Sequence, residues 1–200
     1  MATVHVYAPI SGQIWSLDCY CYIAPPQYNC NNYCGYGSGN NCSSQTPCAH
    51  CSISGYGSHP VDVGSASPGD NMLFWADQTV GSVVITQVNN ICANESLVPW
   101  TDGVWIQMYS GSNGGGSYIG GVLYGHVQNR IANGTYNYNG FPDQPYFSLV
   151  LGQFTPDTCN CTCFAGVHTH MQATGSENSL YCGQSLVAGG GGTSLYQWTY

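Results

Sequence analysis

The chain has 200 residues, enough for one domain with a substantial hydrophobic core. It carries a single basic residue, Arg130, against nine Asp and Glu, which gives a formal net charge of −8. Because no basic face is available to neutralise phosphates, nucleic-acid binding is excluded and anionic membrane surfaces are disfavoured. No apolar run approaches the roughly 20 residues of a membrane-spanning helix.

Short runs of β-branched and aromatic residues follow one another along the chain, separated by Gly, Asn and Ser. Strands are predicted at residues 3–8, 13–17, 72–76, 81–87, 103–109, 120–126, 147–151 and 167–172. Helical periodicity is nearly absent. The pattern predicts a mostly β protein, an antiparallel sheet sandwich or open barrel.

Composition divides the chain into four segments. Residues 1–18 are expected to supply the first strands, 19–54 a Cys-rich stapled insertion, 55–173 the β core, and 174–200 a Gly-rich tail. The end of the tail, residues 195–200, is interpreted as a strand docked on the sheet or as an arm that pairs with a neighbouring molecule. Residues 89–101 and 133–144 are expected to form long surface loops.

Twelve cysteines indicate disulfides and an oxidising compartment. Structural zinc is the competing interpretation, but the C-x-x-C of Cys48 and Cys51 lacks a second C-x-x-C at zinc-ribbon spacing. A secreted, extracellular protein is therefore expected, although residues 1–12 show no signal peptide. Four N-glycosylation sequons, relevant in a glycosylating host, begin at Asn41, Asn94, Asn133 and Asn160.

The few ionisable residues of the chain cluster in short motifs. Two of these motifs are His59-Pro-Val-Asp62 and His168-Thr-His170, and His126 ends a predicted strand. On a strand, residues two apart share a face at about 7 Å. His168 and His170 can therefore serve one ion, or one can bind it while the other acts as a base beside it.

The motifs together resemble the lysostaphin/LytM-type zinc metallopeptidases. The resemblance covers residues 55–173 and lies in Gly57-Ser-His-Pro-Val-Asp62, in Ser67-Pro-Gly69 with the run that follows it to Val84, in Leu123-Tyr-Gly-His126-Val, and in Gly166-Val-His168-Thr-His170-Met. The order of the motifs agrees with that of the family. The resemblance implies a lysostaphin-like β fold with a disulfide-rich insertion and peptidase activity on bacterial cell-wall peptide, often at glycine.

Residue by residue, the resemblance implies that His59, Asp62 and His170 bind Zn²⁺. It implies that His168 and His126 flank the metal-bound water and the oxyanion. These roles suit the chemistry, because a neutral imidazole can accept a proton from water and an N–H donor can stabilise a tetrahedral oxyanion.

Two positions depart from the family pattern. His59 and Asp62 are three residues apart where the family has four, so on a regular strand they face opposite sides, and Pro60 would have to bend the chain to bring them together. Met171 and Gln172 replace an aromatic residue and Glu.

The sequence therefore supports two functions from different classes. The first is an extracytoplasmic zinc metallopeptidase-like domain that hydrolyses peptide bonds of cell-wall peptide or Gly-rich chains. The alternative is a catalytically inactive structural or binding protein with the same β fold, which could assemble into extracellular filaments through strand addition. Carbohydrate binding by some of the 16 tyrosines is a third interpretation.

Overall fold

The structure is a computed structural model that describes residues 1–17, 21–22, 55–64, 66–89, 102–139, 145–155, 167–181 and 183–200. These residues form two antiparallel sheets, and within them no α-helix occurs, only one 3-10 turn at Ser112–Gly114. The strands are β1 Thr3–Tyr7, β2 Gly12–Leu17, β3 Cys21–Tyr22, β4 Ser58–Gly64, β5 Asn71–Asp77, β6 Ser82–Val88, β7 Gly103–Tyr109, β8 Tyr118–Gly125, β9 Val127–Gln128, β10 Gly134–Asn137, β11 Tyr146–Phe154, β12 His168–Ala173, β13 Ser176–Glu177, β14 Ser185–Leu186 and β15 Ser194–Thr199.

The smaller sheet has the strand order β13-β15-β1-β5-β11-β9. The larger sheet is curled and runs β10-β6-β7-β8-β12-β4-β2-β14, with β3 paired to β2. The core lies between the two sheets and contains alternate residues of each strand, among them Val6, Phe74, Ile106, Tyr124 and Met171. Alternation is clearest in β5, where buried and partly exposed residues take turns because its second face is less covered.

The predicted mostly β, antiparallel architecture is confirmed. Each of the eight predicted strands corresponds to a strand of the structure, and residues 195–200 form most of β15, which pairs with β1. The prediction of a loop over residues 133–144 is wrong at β10, whose Gly134–Asn137 pairs with β6. The segment supplies a four-residue edge strand at the end of the larger sheet.

The disulfide predictions fall on residues that the structure does not describe. Of the insertion at 19–54, only the backbone of residues 21–22 is described, and the other cysteines lie outside the described ranges. The disulfides and the lysostaphin-like type of fold therefore stay predictions. Within the described part of the chain, no helix is long and apolar enough to cross a membrane.

Candidate functional site

The three adjacent strands β8, β12 and β4 at the middle of the large sheet are buried on both faces. One face presents Val61, Val63 and Met171 to the core. Because side chains alternate along a strand, Asp62 and His170 project from the opposite face. The sequence therefore places polar, ionisable groups in a buried layer outside the hydrophobic core.

Asp62 and His170 form a direct pair across β4 and β12. They occupy opposite positions in the strand register, and His170 Nδ1 lies 2.9 Å from Asp62 Oδ1. Both side chains are fully buried. A buried carboxylate requires a hydrogen-bonded or charged partner, and the imidazole supplies one.

His126 and His168 form a second pair, with their ring centroids 4.7 Å apart in an edge-to-face arrangement. His126 stands between β8 of the large sheet and β9 of the small sheet, at the point where the chain passes from one sheet to the other. Its φ of 61° is in the left-handed region, which non-glycine residues seldom adopt. Such strained positions are over-represented at functional sites.

The two pairs adjoin each other, since His168 and His170 are two residues apart on β12 and share a face. The Trp15 ring packs beside His168, with centroids 5.5 Å apart. Trp15 also covers Gly64, the residue opposite His168, and a Cβ at Gly64 would overlap the indole. The glycine thus allows an aromatic ring to lie against the polar layer.

His59 is placed away from this layer. In β4, His59 and Pro60 together oppose the single residue Gln172 of β12, which makes a β-bulge, and His59 has a φ of 56°. Its ring lies 3.9 Å from the Glu177 carboxylate of the small sheet and its side chain is 42% exposed. The bulge at His59 and Pro60 does not bring His59 to Asp62, because the His59 ring faces Glu177 of the smaller sheet.

The predicted zinc ligands are therefore only partly assembled. Asp62 and His170 adjoin, whereas His59 is directed elsewhere, as the three-residue spacing implies for a strand. Among the described residues, no three His, Cys, Asp or Glu side chains are grouped closely enough to hold a metal ion. As a three-ligand set, His59, Asp62 and His170 do not fit zinc in this arrangement, and zinc binding stays a prediction.

Gln172 joins the site although its sequence motif did not mark it as functional. It is fully buried, and its Oε1 lies 3.4 Å from His170 Nε2. Its Nε2 donates to the Gly57 carbonyl at 2.7 Å. The alternation that linked His168 with His170 extends to Gln172, so the same rule could have identified it.

A separate polar cluster joins β1 and β5 of the small sheet. Asp77 accepts hydrogen bonds from the His5 backbone N–H at 2.8 Å and the Tyr7 hydroxyl at 2.7 Å, and the His5 ring Nδ1 lies 2.9 Å away. Burial, followed by the hydrogen bond to Asp77, raises the pKa of Tyr7 above its usual range. Both carboxylate oxygens of Asp77 are hydrogen-bonded within the sheet, so we interpret the cluster as structural: it links β1 to β5.

Comparison with known proteins supplies no relative from which a function could be transferred. No family model matches the chain, and no curated protein or solved structure is significantly similar to it.

Proposed function

We propose that the chain is a hydrolase of peptide bonds whose reaction centre lies around the four side chains Asp62, His126, His168 and His170. The observation that carries the proposal is their arrangement as two adjoining pairs, one of imidazole with carboxylate and one of two imidazoles. These residues come from β4, β12 and the β8–β9 junction, which are distant in sequence. The proposal is also supported by the resemblance of the motifs to lysostaphin/LytM-type peptidases.

The histidine pair supplies the proton chemistry that amide hydrolysis requires. A neutral imidazole at His168 can take a proton from the attacking water and later return it to the leaving amine. A ring N–H of His126 can donate to the oxyanion that develops on the carbonyl oxygen. The 4.7 Å between the two rings lets both reach a carbonyl carbon and its oxygen at once.

The pair of Asp62 and His170 has the donor atoms for a divalent cation such as Zn²⁺, since an imidazole nitrogen and a carboxylate oxygen face each other. Asp62 and His170 supply two of the three protein ligands typical of a catalytic zinc site. His59 points towards Glu177 and does not complete this set.

Charge limits the substrate class. Arg130, the only basic side chain, is engaged by Asp102 at 2.9 Å and donates to the Val88 carbonyl at 2.8 Å. A chain of net charge −8 repels anionic substrates, so the proposed substrate is a neutral or cationic peptide, such as a Gly-rich chain or a cell-wall peptide.

The test combines elemental analysis of the purified protein with cleavage assays on peptidoglycan and oligoglycine peptides. We expect about one zinc per chain, and losses of at least ~100-fold in cleavage for His168→Ala and His126→Ala. His5→Ala is the matched control, because His5 contacts Asp77 on the smaller sheet, away from the proposed reaction centre. A chain that binds no metal and leaves every peptide intact would contradict the proposal.

An inactive structural or binding protein is the second candidate. The placement of His59 favours it, because His59 lies beside Glu177 and not with Asp62 and His170, so the three predicted zinc ligands are not brought together. Assembly by strand addition is less favoured at the sheet ends that the structure describes. The terminal strands β9, β13 and β14 have two residues each and β10 has four, and such short edges offer little template for another chain. Sedimentation of metal-free protein as a polymer would support this candidate.

A further inference from the structure

We propose that the outer face of the larger sheet, over β6, β7 and β8, binds a neutral, extended carbohydrate chain. The residues of this aromatic face are Tyr56, Thr86, Trp105, Gln107, Tyr109 and Tyr118. None of them belongs to the proposed reaction centre, so the inference does not rest on the proposed function. It rests on the placement of partly exposed rings beside uncharged polar groups.

The aromatic face follows from the alternation of side chains along β7. Alternate residues of this strand lie in the hydrophobic core: Val104, Ile106 and Met108. The residues between them and after them, Trp105, Gln107 and Tyr109, therefore project from the other face and are partly exposed. Trp105 and Tyr109 are four residues apart, which is about 14 Å along an extended strand. A straight row of this length suits an extended ligand.

The indole of Trp105 is held against the sheet. Gly121 lies opposite Gln107, and a Cβ at Gly121 would overlap the six-membered ring of the indole. The Tyr56 ring contacts Trp105 in an edge-to-face arrangement, with centroids 5.2 Å apart. These two contacts fix the orientation of the indole before a ligand arrives, which lowers the entropy that binding costs.

The other end of the aromatic face has a second pair of rings. Tyr109 and Tyr118 lie edge to face with centroids 5.6 Å apart, and Tyr118 is 48% exposed. Gln107 lies between the two ring pairs on β7, and Thr86, which is exposed, lies opposite Trp105 on β6. The face therefore combines aromatic rings at both ends with amide and hydroxyl groups between and beside them.

This combination fits the chemistry of a pyranose chain. A pyranose ring with equatorial hydroxyls presents axial C–H bonds on its faces, and these stack on the electron-rich face of an indole or a phenol. Its hydroxyls need hydrogen-bond partners, which Gln107 and Thr86 can supply. The aromatic face has no charged side chain, and a chain of net charge −8 repels anionic glycans. Extended and neutral β-1,4-linked chains of glucose or N-acetylglucosamine meet these conditions.

The aromatic face adjoins the buried polar layer without including it. Trp105 lies opposite Leu123 on β8, and Leu123 lies opposite Gln172 on β12. Residues in opposite positions share a face of the sheet, so Trp105 is two strand spacings, about 10 Å, from Gln172. A carbohydrate along β7 would therefore lie beside the pair of Asp62 and His170.

Isothermal titration calorimetry of the full chain with cellohexaose and with chitohexaose tests the proposal. We expect saturable binding of at least one of them, weakened by at least ~10-fold in Trp105→Ala. Trp105→Tyr keeps an aromatic ring and should bind more tightly than Trp105→Ala. Gly121→Ala displaces the indole without changing its chemistry and should also weaken binding. Near-UV circular dichroism checks that each variant is folded.

Tyr181→Ala is the matched control, because Tyr181 is 65% exposed and precedes β14, at the opposite end of the larger sheet from β10. Its affinity for the sugar should equal that of the wild type. Failure of the wild type to bind either hexasaccharide would overturn the proposal, and so would equal affinities of the wild type and folded Trp105→Ala. Tighter binding of a proline-rich peptide than of either sugar would assign the face to a peptide and overturn the carbohydrate assignment.

Discussion

The Tyr196 hydroxyl lies 2.7 Å from the His59 carbonyl oxygen and 3.0 Å from that of Met171, so one side chain of the small sheet is bonded to both strands beside the bulge. The hydroxyl has one hydrogen, which the two carbonyls share, and Tyr196→Phe removes it. We expect the free energy of unfolding to fall by about 1–3 kcal/mol, the cost of unsatisfied buried polar groups.

Urea unfolding of the wild type and of Tyr196→Phe measures this cost. Tyr181→Phe is a suitable control, because Tyr181 is 65% exposed and should change stability by less than about 0.5 kcal/mol. Equal stability losses in the two variants would show that the Tyr196 hydroxyl does not hold the bulge.

The sheet architecture could be predicted because its signals are local. The runs of apolar, β-branched and aromatic residues in β5 and β7, bounded by Gly, Asn and Asp, appear directly in the sequence. β4 was not predicted as a strand, because Pro60 and two ionisable residues interrupt its apolar pattern. Its central position, buried on both faces, follows from tertiary packing against β12 and β2, which no local pattern reveals.

Part of the candidate site can also be predicted from local sequence patterns. The H-x-H alternation predicts that His168 and His170 share a face of β12, and the three-residue spacing predicts that His59 and Asp62 face opposite sides of a regular strand. The packing of Trp15 over Gly64 was not predictable, because it depends on the register of β2 against β4. The direct pairing of Asp62 with His170 depends on register in the same way.

Removal of one partner of the buried pair should be costly. Asp62→Ala removes the carboxylate that faces His170 Nδ1 in a fully buried place, and we expect a loss of about 3–5 kcal/mol in the free energy of unfolding. The double variant Asp62→Ala with His170→Leu should recover part of the loss, since it replaces both members of the buried polar pair. Asp70→Ala, at an exposed turn where Asp70 accepts from the Ser67 N–H, is the control. Strict additivity in this double-mutant cycle would contradict a direct interaction.

Gly64→Ala should disturb Trp15, because the added methyl group would overlap the indole. Overpacking of this kind costs about 1–3 kcal/mol, and the Trp15 fluorescence should shift as the ring moves. Trp15→Ala in the same chain should remove the clash, so that Gly64→Ala costs less in that background. A cost that is unchanged by Trp15→Ala would mean that the glycine is needed for backbone reasons.

Reduction tests the sequence-based expectation of disulfides among the twelve cysteines. Loss of a native disulfide costs about 2–5 kcal/mol in small secreted domains. We expect dithiothreitol to lower the melting temperature clearly, and mass spectrometry with thiol alkylation to count the bonds broken. An unchanged melting temperature, with all cysteines alkylated before reduction, would contradict the stapled insertion.

Tyr124 should make the protein sensitive to alkali. Its side chain is fully buried beside Phe74, its hydroxyl has no hydrogen-bond partner in the described part of the protein, and burial raises its pKa above the usual range. Below a pH of about 10 both the folded and the unfolded chain keep the proton, so stability is unaffected. At higher pH the unfolded chain releases this proton while the folded chain retains it. Stability should therefore fall by about 1.4 kcal/mol per pH unit from this residue alone.

Tyr124→Phe removes that contribution and also removes a buried hydroxyl. We expect the variant to be at least as stable as the wild type at pH 7, and to lose stability less steeply above pH 10. Denaturant unfolding between pH 8 and 11 provides the measurement, with Tyr181→Phe as the exposed control. Part of the loss of stability above pH 10 should remain in Tyr124→Phe, since the pKa of Tyr7 is raised as well. A marked loss of stability at pH 7 would indicate that the Tyr124 hydroxyl is hydrogen-bonded in the folded protein, and identical slopes would show that its ionisation does not limit alkaline stability.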